Sequence, residues 1–173
     1  MSIEHIKPFS KENGNGFTLT LEMLRKIVRL KEFEKAESEQ ISKMYRTDSN
    51  AMTVTEALKQ WQDEQAGKIS RPAYKELESY LLSLTMENVV DLTLLMYLGR
   101  DMDCNMDTNP GEDRFLEFYD DYNDIVVGKS KEILIDILLE KTPLLMYLRT
   151  GYRLLTAPKG TSIDSFCHNW DEM

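Results

Sequence analysis

The sequence predicts an all-α fold, a single compact bundle of about six or seven helices. Three observations lead there. Apolar residues recur at spacings of three and four along most of the 173 residues. Helix-capping side chains stand just ahead of several of these runs, as at Thr20, Thr53 and Thr85. No stretch alternates apolar and polar residues as a half-buried strand would.

The elements follow in order. Residues 1–16 are polar, carry "NGNG" at 13–16, and read as a flexible arm. The helical domain is expected over 17–157. Thr20 caps a long helix whose Leu21, Leu24, Ile27, Val28 and Leu30 share a face, with Glu22 suited to the positive end of the dipole. The face thins through "EKAESEQISK", where a polar helix and a frayed one are both compatible with the residues. After the loop "RTDSN", Thr53 and Glu56 have capping-box spacing. Val54, Leu58 and Trp61 then fall at i, i+4 and i+7, and Gly67 closes the helix. Pro72 opens the next one at a position that tolerates proline, with Ala73, Leu77, Tyr80, Leu81 and Leu84 as its stripe.

Thr85 caps "MENVVDLTLLMYL", which is apolar on nearly every side and therefore belongs at the centre of the fold, with Gly99 as its expected stop. Phe115, Phe118, Tyr119, Tyr122, Ile125 and Val126 mark a further helix ended by Gly128. "EILIDILLE" at 132–140 is again apolar almost all round. Thr142 and Pro143 then lead into a last helix with Leu144, Leu145, Leu148, Tyr152 and Leu155 on its buried face. Residues 158–173 read as an irregular tail. The expected core includes Val90, Leu94, Tyr97, Ile133, Ile137, Leu144 and Leu148.

Composition narrows the function classes. A hydrophobic content of 42% beside 29% charged residues suits a folded soluble chain. The net charge of −9 opposes direct binding to a nucleic-acid backbone, which needs clustered Lys and Arg. Two cysteines, Cys104 and Cys167, cannot build a disulfide framework, and no apolar run approaches a membrane span, so a cytoplasmic protein is expected. Catalytic patterns are sparse. His5 and His168 are the only histidines, and no phosphate loop, CxxC or HExxH motif occurs.

The charge is concentrated in one place. Residues 101–124 hold nine acids and one base, so this segment alone carries −8 of the −9. Its first half, "DMDCNMDTNPGE", puts Asp101, Asp103, Asn105, Asp107, Asn109 and Glu112 at positions 1, 3, 5, 7, 9 and 12, the ligand spacing of a calcium-binding EF-hand loop. Position 6, where that loop turns on a glycine, is Met106. In the second half, Asp113, Glu117, Asp120, Asp121 and Asp124 lie three, four and seven apart, so several share one side of a helix. Such a face suits a basic protein partner, or imitates a nucleic-acid backbone.

Two other stretches resemble a known family. "DLTLLMYLGRDMD" at 91–103 and "KTPLLMYLRTGYRLL" at 141–155 are similar to the two best-marked segments of the uncharacterised bacterial family called domain of unknown function 3775. There a helix ends in a Leu-Gly-Arg-Gly-Asp turn, and a later Thr-Pro-Leu-Leu stretch leads into Tyr-Leu-x-x-Gly-Leu. The likeness covers roughly residues 17–155. Here Asp101 stands in place of the second glycine, and the insert from Met102 to Asp113 is longer and more acidic. The resemblance implies an all-α domain and brings no catalytic residues.

The expectation is thus a non-enzymatic interaction or regulatory module that uses the 101–124 segment as contact face and needs no cofactor. The alternatives are a divalent-cation module using the 101–112 loop with calcium, and an enzyme of unidentified chemistry. A homo-oligomer is left open.

Overall fold

The Thr20 Oγ1 accepts the Met23 amide proton at 3.1 Å, and from that cap α1 runs over Leu21–Tyr45. The computed structural model describes residues 18–48, 50–102 and 124–156. Among them, α2 spans Val54–Gln65, α3 Pro72–Ser83, α4 Met86–Met102, α5 Lys131–Glu140 and α6 Leu144–Thr156. A further helical turn at 124–126 closes at Gly128, which takes φ +76° as a helix-ending glycine does. No strand occurs among the described residues, and the all-α architecture stands.

Local signals act where the sequence places them. Thr53 and Glu56 form a reciprocal capping box at the head of α2, and Gly67 follows its end with φ +68°. Pro72 occupies the first position of α3. Thr85 Oγ1 accepts from the Asn88 amide while Asn88 Oδ1 accepts from the Thr85 amide, a second reciprocal cap that starts α4. The polar stretch through residues 34–43 stays helical, and its Glu34, Glu37 and Ser38 find partners at Arg71 and in the first turn of α3, as described below.

α4 is the axis of the bundle. Residues 91–99 are buried without interruption. α6 packs most extensively against it and α5 flanks it, while α1 packs along α3 and also meets α2 and α6. Leu24, Ile27, Leu77, Leu81, Leu92, Leu95, Leu134, Leu138, Leu144 and Leu148 interlock around it. Burying residues of this size stabilises a fold by roughly 1.5–3 kcal/mol each.

Two expectations need correction. Gly99 does not stop α4, which continues to Met102. Its role is packing. A Cβ on Gly99 would lie 1.8 Å from the carbonyl oxygen of Tyr147, and one on Gly151 would lie 2.3 Å from that of Leu95. These two contacts place α4 and α6 antiparallel with their backbones touching. No other residue is small enough for such a crossing, so the missing Cβ matters here for space rather than for φ. The second correction is Ile133, which is 48% exposed. α5 turns Leu134, Ile135 and Leu138 inward, and its remaining apolar residues exceed what one helix face can bury. Leu94, Tyr97, Leu144 and Leu148 are buried as expected, and Val90 and Ile137 are partly buried against the core.

Candidate interaction surface

The acidic segment begins on α4. Asp101 lies in its last turn, and Arg100 grips it with both arms, Nε to Oδ1 at 2.5 Å and Nη2 to Oδ2 at 3.2 Å. The guanidinium stacks 4.5 Å over the Tyr97 ring. The Asp101 hydrogen bond raises the affinity of Arg100 for its proton, against a smaller opposing effect of burial. At the far end Asp124 is exposed, and two residues later Val126 is buried in the core. Asp103, Asn105, Asp107, Asn109, Glu112, Asp113, Glu117, Asp120 and Asp121 lie outside the described residues, so the structure brings none of them together or apart.

Two polar clusters lie outside the residues that the sequence marks as candidate sites. The first ties the entry of α1 to α4. Asp91, almost fully buried, accepts from the Thr18 amide at 2.6 Å and the Thr18 hydroxyl at 2.7 Å. Asn88 Nδ2 donates to the Thr18 carbonyl and hydroxyl. A buried carboxylate survives only with such partners. Its signal was present, since Asp91 is the sole charged residue between Asn88 and Gly99.

The second cluster joins α1 to α3. Glu34 accepts from Lys31 at 2.7 Å, Ser38 at 2.8 Å and Arg71 at 3.1 Å. Burial pushes the Glu34 carboxyl up, but the Lys31 and Ser38 hydrogen bonds and the charges of Lys31 and Arg71 outweigh it and hold it below the ordinary value. One turn on, Glu37 receives the Ala73 and Tyr74 amides at 2.9 and 3.1 Å. α3 has no side-chain cap of its own, so an acid from α1 satisfies its orphan donors and meets the positive end of its dipole.

α2 is built the other way round from its neighbours. Glu56 is its only buried residue, and Gln60, Asp63 and Glu64 are half-buried. Thr47 gives Glu56 both its amide, at 2.5 Å, and its hydroxyl. The Thr53 amide adds 2.8 Å. These bonds, led by the Thr47 hydroxyl, hold the Glu56 carboxyl down at about 2. Tyr45 Oη donates to Asp63 at 3.0 Å, and Lys68 pairs with the same carboxylate at 3.1 Å. The polar face therefore docks on the domain. Val54, Leu58 and Trp61 point away from it, exposed by 86%, 51% and 56%.

Comparison with protein-family models, with curated proteins and with solved structures finds no match.

Proposed function

We propose that this protein is a non-enzymatic interaction or regulatory module whose 101–124 segment meets a basic protein partner. The supporting observation is the concentration of −8 charge between two points fixed in the core, the buried run of α4 ahead of Asp101 and the buried Val126 beyond Asp124. A charge so concentrated on a firmly held base steers an oppositely charged surface over roughly the Debye length, about 8 Å at physiological ionic strength. A calcium loop over 101–112 is the weaker reading. Arg100 already engages both Asp101 oxygens, and Met106 stands where the loop turns on glycine.

Among the described residues no single helix is long and apolar enough to cross a membrane. The proposed setting is the cytoplasm, which the low cysteine count supports. The test compares proteins retained by the native chain and by a chain carrying Asp120→Asn, Asp121→Asn and Asp124→Asn, across a salt series. A basic protein that binds only the native chain and is lost as salt rises is the expected result. Equal retention by both chains, or binding indifferent to salt, overturns the proposal.

A further inference from the structure

We propose that the outward face of α2 is a self-association surface, covered by the same face of a second copy of this chain with the two helices antiparallel. This proposal is independent of the acidic segment. Around the outward side of α2 lie Val54, Thr55, Leu58, Trp61, Gln62 and Gln65, all exposed and none charged. The helix cannot roll to bury its apolar stripe, because Glu56 and Asp63 on its opposite face are fixed by Thr47, Thr53, Tyr45 and Lys68. The stripe is thus displayed.

A charged partner finds no complement on this face, whereas an identical apolar face does. Val54 and Trp61 are seven residues apart, about 10 Å along the axis. Leu58 lies between them. An antiparallel copy sets Val54 against the partner's Trp61 and brings the two Leu58 side chains together at the dyad, small against large on either side. This is the isologous arrangement that closes as a twofold dimer. A fully covered Trp side chain buries roughly 150–250 Å², and Val and Leu bury somewhat less. With the exposures above and the polar rim, each copy contributes on the order of 500 Å², and the pair withdraws about the 1,000 Å² that a specific interface needs. An interface at that lower limit suits a reversible, concentration-dependent dimer.

Sedimentation equilibrium of the full chain, from low micromolar to several hundred micromolar, tests it. The expected result is a monomer–dimer equilibrium that Leu58→Lys weakens at least about tenfold, with helix content unchanged and the same melting temperature at dilutions where both chains are monomeric, because the side chain is exposed in the protomer. Orientation is tested separately. Val54→Glu and Trp61→Lys each weaken the dimer alone, and the doubly substituted chain recovers association, since each introduced carboxylate then faces the introduced ammonium of the other copy. A constant monomer mass at all concentrations overturns the proposal. So does a dimer indifferent to Leu58→Lys, which would lie on another face. Failure of the double variant to recover overturns the antiparallel pairing. Emission from Trp61, read in a Trp170→Phe background, shifts to the blue with concentration if a second copy covers it. A monomer in which that indole is already dry points instead to a cover from the chain's own residues outside the described set.

Discussion

Asp91 shows how much a single side chain can organise. It sits at the head of the uninterrupted buried run of α4 and directs its charge to the Thr18 amide and hydroxyl. Asp91→Ala leaves the Thr18 amide without that acceptor, and a hydrogen bond to a charged group is worth about 1.5–3 kcal/mol. A loss of that size is expected in a denaturant melt, together with faster amide exchange at the entry of α1. Glu56 makes a different prediction. Its carboxyl is held at about 2 in the folded protein, below the ordinary value of 4.5. A depressed carboxyl stabilises the fold fully above its unfolded value, and the contribution disappears as pH falls from 4.5 toward 2. Acid titration followed by NMR should therefore loosen α2 across that window while α4 persists, and Glu56→Gln should flatten the response. Calcium adds a third test at this scale. No saturable one-to-one binding with sensor-like affinity of about 10⁻⁷ to 10⁻⁵ M is expected. Micromolar binding abolished by Glu112→Gln would make the loop a true site.

At the scale of elements, Gly99 and Gly151 set two principles against each other. Helix propensity says that Gly99→Ala should gain about 1 kcal/mol. Packing says the reverse, because the new methyl would lie 1.8 Å from the Tyr147 carbonyl oxygen, a backbone atom that cannot swing aside. Overpacking typically costs about 1–3 kcal/mol and sometimes more, so packing wins and the melt should shift down. Gly128→Ala, which meets nothing within 4 Å, would suffer only the strain of its positive φ. The same pair of glycines shows what the sequence could and could not say. Caps at Thr20, Thr53 and Thr85 were legible because a cap is a local event, decided within four residues. Gly99 reads locally as a helix stop, because the reason for it lies on α6, about fifty residues away. The face of α2 was legible as a stripe, but its direction was not. A stripe does not say whether it turns inward, and the deciding bonds come from Tyr45 at the end of α1 and Thr47 just beyond it. The acidic segment was legible as charge alone, since ligand spacing does not fix where backbone oxygens converge.

For the molecule as a whole, one axis carries the stability. Leu94 is fully buried in the middle of α4, and Leu94→Ala should cost about 2–5 kcal/mol. A much smaller loss would show that α4 is not the centre. The two proposed surfaces would also reinforce each other. A dimer through α2 presents two acidic segments, so a basic partner with two matching patches would gain by effective concentration without any new contact.

The crossing of α4 and α6 has one more consequence, and it concerns change over generations. Gly99 and Tyr147 clamp the chain into a closed loop that contains the entire acidic segment. Once a loop is closed, its length matters little, since each doubling adds only about 0.6 kcal/mol of closure entropy. Residues added, removed or recharged within the acidic stretch between Met102 and Asp124 therefore change the closure entropy little, while the clamp itself and the core residues Val126, Leu134 and Leu138 inside the loop tolerate almost nothing. Variation should accumulate in the loop and avoid the glycines, leaving a fixed frame on which new partner specificities can be tried.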